Sequence, residues 1–324
     1  MSGFGPEVLA LDLAAETRRI TEFVRHAVAD RLRRKGAVVA ISGGIDSAVT
    51  AALCVQALGK ERVFGLFLPE ADSSPESTAL GQELARTLGI AAELFDIRQT
   101  LTALGCYAER DAAVRSVVPA YGPGCRFKIV LPDLLRDEGY RVYSVVVRFP
   151  DGREIKQRLT VEAYLRIVAA TNFKQRVRKM REYFQADRLQ YAVAGTPNRL
   201  EHDQGFFVKL GDGAADLKPI AHLYKSQVFA LAEHLGVPDS IRRRKPTTDT
   251  YSLEQGQDEF YFSLGYREMD LCLFAHDHRV PAREVAPVLG VTETQVERVF
   301  RDIEDKRRAA AYLHAQALIL DTSS

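Results

Sequence analysis

Six consecutive residues, Ser42-Gly43-Gly44-Ile45-Asp46-Ser47, carry the sharpest chemical signal in the sequence. They follow a short apolar run and open a helical pattern. Two glycines let the backbone come close to a phosphate. The helix N-terminus offers unpaired N–H groups and the positive end of a dipole. Ser42 and Ser47 add hydroxyl donors. Asp46 is anionic and repels phosphate unless Mg²⁺ lies between them. A phosphate loop with a built-in metal ligand accounts for all six residues together. It is neither a Walker A loop, which is longer and needs a Lys, nor G-x-G-x-x-G. The bland alternative is a glycine-rich turn from strand to helix.

This stretch resembles SGGxDS, the pyrophosphate loop of the N-type ATP pyrophosphatases, which split ATP between its α- and β-phosphates and adenylate a substrate. Further motifs narrow the likeness. Asn172-Phe173-Lys174-Gln175-Arg176 resembles the N-x-K-x-R stretch of NAD synthetases. Gly195-Thr196-Pro197-Asn198-Arg199-Leu200-Glu201 resembles their GTxNxxE loop, and the stretch from Gly205 to Asp216 is close to GFFTKxGDGxxD. Pro219, Ile220, Leu223, Lys225, Pro246, Thr247 and Asp249 continue the match, as does Gln257-Asp258-Glu259. The resemblance is to the ammonia-dependent NAD synthetase family and covers about 36–100 and 161–275.

The resemblance implies roles residue by residue. Ser42, Gly43, Gly44, Ile45, Asp46, Ser47, Thr196, Lys225 and Thr247 would bind ATP. Asp46 and Glu201 would hold Mg²⁺ on the pyrophosphate. Arg176, Lys209, Asp216 and Lys306 would bind the deamido-NAD substrate. Asp46, Asp212 and Lys225 would take part in the chemistry, with Lys225 opposing phosphate charge and Asp212 positioning reacting groups. A carboxylate attacking phosphorus brings two anions together, so cations and a metal are expected around the phosphates. The implied reaction adenylates the carboxylate of deamido-NAD and lets ammonia displace AMP, giving NAD. Ammonia would be free or delivered by a separate glutaminase. An alternative keeps the ATP chemistry with another carboxylate as acceptor. The implied assembly is a homodimer with the substrate site at its interface.

Three features differ from the compact family pattern. Residues 100–160 form an extra segment. Asp305-Lys306-Arg307 stands where His-Lys is common, with Lys306 retained. Thr247-Thr248-Asp249-Thr250 replaces a Thr-Ala-Asp run followed by an apolar residue.

The elements that must hold these residues alternate. Helical spacing runs from Leu9 to Val28 and ends in basic residues and Gly36. The apolar run 37–41 predicts a buried parallel strand. Residues 47–58 and 77–88 read as helices, 63–68 and 90–97 as the strands after them. A long helix over about 161–187 precedes a strand at 191–194. This alternation predicts an α/β fold with a doubly wound parallel sheet, adenine nucleotide alpha-hydrolase-like by the resemblance. Residues 142–149 and 153–159, around Pro150-Asp151-Gly152, predict a β-hairpin insertion. Helices at 282–289 and 292–303 close the chain. The reading divides it into an α/β domain over 1–275, with its insertion, and a C-terminal helical extension over 276–324.

Composition sets the outer bounds. The chain has 324 residues, 46% hydrophobic and 27% charged, which excludes disordered and collagen-like classes. No apolar run approaches the roughly 18 residues of a membrane helix, and acidic residues at the start argue against a signal peptide. Four cysteines without paired spacing predict reduced thiols and a cytoplasmic protein. A net charge of +1 argues against a dedicated nucleic-acid binder. The helical pair near the C-terminus resembles a helix-turn-helix in spacing, but its second helix is too acidic for a groove reader. Residues 141–181 carry eleven Lys/Arg against three Asp/Glu, either a solvated basic face or a surface for a polyanionic substrate.

Overall fold

The structure, a computed structural model, describes residues 3–130, 143–244, 251–253 and 264–320. Helix α1 (Leu13–His26) starts where the Asp12 carboxylate accepts from the Ala15 N–H, and one wide helical turn, Ala27–Arg31, extends it. Strand β1 (Ala37–Ala40), α2 (Ile45–Leu58), β2 (Val63–Phe67), α3 (Pro75–Leu88) and β3 (Ala91–Leu94) follow in the expected alternation. Short helices α4 (Arg98–Ala103) and α5 (Cys106–Val117) lead into β4 (Arg126–Val130), β5 (Ser144–Arg148) and β6 (Glu154–Arg158). The long α6 (Val161–Leu189), capped by Thr160, then returns the chain to β7 (Ala192–Ala194).

Strands β3-β2-β1-β7 form one parallel sheet in that order. The chain walks outward from β1 through β2 to β3, then crosses back so that β7 pairs with the other side of β1. Side chains alternate between the two faces. Ala37, Val39 and Ile41 share a core with α1, α2 and α8 (Lys225–His234). Val38, Leu66 and Val193 pack instead with Ile97, Leu101 and the α6 residues Val177 and Ala186. Both faces are covered, so the sheet is doubly wound. All five residues 37–41 are apolar or small because neither face meets water.

The insertion is larger than a hairpin. β5 and β6 pair antiparallel around Pro150-Asp151-Gly152, as the turn chemistry predicts, and β4 adds a third strand on the other side of β5. β4 alternates charged and apolar residues too briefly to stand out in the sequence. Its Phe127 and Ile129, with Val145 and Val147 of β5, pack on Val114 of α5 and Ile167 of α6. The opposite face presents Arg126, Lys128, Arg148 and Lys156.

After β7 come α7 (Arg199–Gln204), α8 and α9 (Asp239–Arg242), then α10 (Tyr266–Asp277), α11 (Ala282–Leu289) and α12 (Glu293–His314). α10, α11 and α12 share a core through Leu273, Val285, Val296, Val299 and Ile303, joined by Leu9 and Leu200. Among the described residues no helix is long and apolar enough to cross a membrane.

Candidate active site

The strand order reverses at β1, between β2 and β7. In an open α/β sheet this is where the loops leaving neighbouring strands part and leave a crevice. Ser42–Ser47 leaves the end of β1, and Thr196 to Glu201 leaves the end of β7. Both loops line one cavity of ≈ 560 Å³. The phosphate loop is held by its own serines. Ser47 Oγ accepts from the Ser42 N–H (3.2 Å) and donates to the Gly44 carbonyl (2.9 Å). Gly44 occupies the N-cap of α2 with no side chain bonded to the helix end. The first turn of α2 therefore presents its N–H groups toward the cavity, the arrangement an anion needs.

At the mouth of this loop stands Lys225, the first residue of α8. Only 1% of it is exposed. Its Nζ donates to Asp46 Oδ2, and Asn198 Nδ2 donates to Asp46 Oδ1 (3.0 Å). Asn198 caps α7 in a reciprocal box with Glu201, which fixes that carboxylate beside the same ammonium. Burial alone would push the Lys225 ammonium down, but Asp46, Glu201 and Asp270 around it hold it above the ordinary lysine value. Lys225 is thus a permanent cation at neutral pH. Asp270, on α10 and fully buried, accepts from the Lys225 N–H (3.2 Å) and the Ser226 N–H (2.7 Å). It ties the start of α8 in place. Burial pushes its carboxyl up to about 6 despite those bonds.

Helix α6 supplies the long wall. Lys174 Nζ donates to Glu70 Oε1 (3.0 Å) and Asp72 Oδ2 (2.6 Å), and Arg110 of α5 shares Asp72 (2.5 Å). This buried network ties α5 and α6 to the loop after β2. Further along, Lys179 pairs with Glu182 (2.6 Å). Asp212 lies nearby and accepts from the Val208 N–H (2.7 Å). Burial raises the carboxyls of both Glu182 and Asp212.

A phosphate loop at the switch point, faced by a buried lysine and two carboxylates, matches what comparison with known proteins finds. The model of the family described as NAD synthase matches residues 16–117 and 149–310. The chain belongs to the NAD synthase family. It is 57% identical over 311 residues to the NH(3)-dependent NAD(+) synthetase of Rhizobium meliloti (strain 1021), covering 96% of this chain and 93% of that protein. It is 54% identical over 312 residues to the enzyme of the same description from Mesorhizobium japonicum, covering 96% and 98%. Among solved structures, the NH3-dependent NAD synthetase of Campylobacter jejuni superposes with a TM-score of 0.62 at 20% identity, covering 96% of this chain and all of the other. The NMN synthetase of Francisella tularensis gives 0.64 at 22%, covering 96% and 99%. At these identities the structural likeness speaks for the fold alone.

Within this NAD synthase chain the expected residues divide. Ser42, Gly44, Ile45, Asp46, Ser47, Thr196, Glu201, Asp212 and Lys225 all line the cavity. Gly43 belongs to the loop but turns toward Ser77. Arg176, Lys209, Asp216 and Lys306 do not line it. Arg176 is exposed and donates to the Lys209 carbonyl (3.3 Å), and Lys209 donates to the Tyr312 carbonyl (2.9 Å). Asp216 accepts from the Val193 N–H (2.7 Å) and from Tyr183 (3.2 Å), which anchors the loop to β7. Lys306 is buried and paired with Asp302 (2.9 Å). Asp305 beside it is exposed and pairs with Arg308. Thr247, with Pro246, Thr248, Asp249 and the run 257–259, lies outside the described residues.

The basic stretch 141–181 divides too. Lys174, Arg178 and Lys179 line the cavity, whereas Arg153, Lys156 and Arg158 are exposed on the insertion. Sequence reasoning assigned no role to Asp270, Lys179, Glu182 or Arg244, all at or behind the wall. Lys174 had a signal, since it stands inside the N-x-K-x-R stretch. Asp270 and Arg244 have partners on distant segments, and Lys179 and Glu182 pair with each other inside α6, outside any motif.

Proposed function

We propose that this chain is an ammonia-dependent NAD synthetase acting on deamido-NAD. The observation that carries the reading is the Lys225–Asp46–Asn198 contact across the phosphate loop, in a chain 57% identical to a curated enzyme of that description. The β- and γ-phosphates of ATP lie against the first turn of α2. The deamido-NAD carboxylate oxygen bonds to the α-phosphorus, and the bond to the β-phosphate oxygen breaks, releasing pyrophosphate. Lys225 stabilises the charge that builds on the departing oxygen. The nitrogen of ammonia then adds to the acyl carbon, the acyl–phosphate bond breaks and AMP leaves. The surplus proton passes to solvent. Neutral ammonia needs no general base for this step.

Mg²⁺ fits the residues present. Asp46 and Glu201 both open into the cavity beside the Lys225 ammonium. Among the described residues no larger cluster of metal-binding side chains forms. Two carboxylates suit an ion held mainly by substrate phosphates and water. The ion would neutralise phosphate charge during adenylation. Exposed apolar residues on α6, namely Val161, Leu165, Met180 and Phe184, support a homodimer, which sedimentation would test. Four free thiols support a cytoplasmic location. Ammonia is free or comes from a separate glutaminase.

The test is pyrophosphate release with ATP, Mg²⁺ and ammonium, with and without nicotinic acid adenine dinucleotide. Release that requires the dinucleotide, with NAD formed in step, is expected. Tight ATP binding without such turnover would assign the site to another carboxylate.

A further inference from the structure

The insertion does more than decorate the sheet, because it places Tyr143 in the lining of the cavity. On α6 the cavity-facing positions Tyr164, Val168, Thr171, Gln175, Lys179 and Glu182 recur every three or four residues, so they lie on one face. From Tyr164 to Glu182 this face is ~27 Å long at 1.5 Å per residue. Its inner part lies at the sheet, where Arg178 donates to the Leu68 carbonyl just beyond β2 (3.2 Å). Tyr164 is ~21 Å further along the axis, away from the phosphate loop and against the insertion.

Three tyrosines from three separate segments meet at that outer end and line the same cavity: Tyr143, Tyr164 and Tyr251. Tyr143 and Tyr164 stack, with ring centroids 4.1 Å apart and planes at 15°. Tyr143 is fixed by the Leu159 N–H, which donates to its carbonyl (2.9 Å). Tyr251 is pinned to β4, since Ser252 Oγ accepts from the Phe127 N–H (2.9 Å) and the Leu253 N–H donates to the Phe127 carbonyl (3.0 Å). The insertion core itself is filled by Phe127, Ile129, Val145 and Val147. Tyr143 and Tyr164 sit beside that core, half-buried. Two parallel rings at a cavity wall offer what a flat heteroaromatic ring binds to, a rigid π surface with little rotamer freedom to lose. Tyr143 falls in residues 118–148, which the family model leaves unmatched, whereas Tyr164 and Tyr251 fall in matched residues, so the wall joins one residue of the insertion to two of the shared fold.

We propose that Tyr143, stacked on Tyr164 and flanked by Tyr251, is a binding wall for a heteroaromatic ring of a nucleotide substrate. The insertion thereby becomes part of the substrate site. The identity of the nucleotide rests on the synthetase reading above, but the existence of the wall does not.

Two variants test it. Tyr143→Phe keeps the ring, and Tyr143→Leu keeps apolar bulk and removes the π face. Binding of ATP and of nicotinic acid adenine dinucleotide is measured separately by calorimetry, beside KM for each. We expect Tyr143→Leu to weaken one nucleotide about tenfold (~1.4 kcal/mol), with the other and the Phe variant within twofold of wild type. Weaker ATP binding assigns the wall to its adenine, and weaker dinucleotide binding assigns it to a ring of the acceptor. Unchanged affinity for both, or equal weakening in the Phe variant, overturns the proposal. Should Tyr143→Leu lose its helical circular dichroism, Tyr164→Leu on the regular helix α6 gives the same comparison. Wild-type protein that binds both nucleotides but forms no NAD refutes the synthetase reading and leaves the binding comparison standing. Wild-type protein that binds neither overturns both.

Discussion

The two glycines of the phosphate loop look equivalent in sequence, and the structure assigns them opposite sensitivities. Gly43 has φ +78°, a left-handed conformation, and a Cβ there would lie 2.9 Å from the Ser77 carbonyl carbon and nearer still to its oxygen. Ser77 is buried in the first turn of α3, so it cannot step aside cheaply. The left-handed backbone costs ~1–2 kcal/mol for alanine, and displacing the α3 turn about 1–3 kcal/mol more. Gly43→Ala should therefore lose about 2–5 kcal/mol, a fall in Tm of about 3–7 °C for a chain of this size. Gly44 has φ −92° and ψ 161°, which any residue adopts, and the nearest obstacle is the Ser42 hydroxyl at 3.3 Å. Alanine at this N-cap should cost about 1 kcal/mol or less. Gly44 lines the cavity, however, and its new methyl would stand where phosphate oxygens approach the helix end. Gly44→Ala should keep its Tm within about 2 °C and raise KM for ATP about tenfold or more. The assay is a thermal scan beside an ATP titration of pyrophosphate release. Equal Tm losses in the two variants, or a Gly43→Ala protein as stable as wild type, would refute the reasoning.

Three further outcomes are expected. Lys225→Met should lower kcat/KM about 10²–10³-fold and also cost about 3–5 kcal/mol of stability, because it removes the buried cation from among Asp46, Glu201 and Asp270. Steady-state kinetics and calorimetry check both halves. Asp270→Ala leaves two N–H groups at the start of α8 without an acceptor inside the protein, so urea unfolding should show a loss of about 2–4 kcal/mol, with Asp270→Asn recovering part. His202 is brought down to about 4 by burial and by Lys218 nearby. Its folded value lies below the ordinary 6.5, so its contribution is complete above pH 6.5 and is lost as pH falls toward 4. The loss should be about 1–2 kcal/mol once solvent screening of the half-buried ring is allowed for. His202→Gln should flatten that slope in unfolding measured from pH 7 to pH 4, and an unchanged slope would exclude His202 as its source.

Legibility followed distance along the chain. The β5–β6 hairpin was readable because Pro150-Asp151-Gly152 sets the turn locally, and β1 because five apolar residues between turns admit little else. β4 was not, since its meaning lies in pairing with β5 across a long gap in sequence. The N-x-K-x-R stretch is legible in the sequence, but which of its residues faces the cavity is not. Helical phase turns Lys174 inward to Glu70 and Asp72 and leaves Arg176 in solvent. Lys306 kept its place in a motif, but the C-terminal core buries it against Asp302.

The order of residues alone determined the chemistry at Ser42–Ser47, the alternation that makes a parallel sheet, and the family to which the chain belongs. Each rests on neighbours a few residues apart, where turn geometry, helix caps and hydrophobic period act. Packing decided the rest. It set Lys225 against Asp46, 179 positions away, hung α8 from Asp270, aimed Gly43 at α3 and Gly44 at the cavity, and brought Tyr143, Tyr164 and Tyr251 to one wall. Charges buried together and rings stacked across elements depend on which faces the core turns toward each other, and no local pattern encodes that.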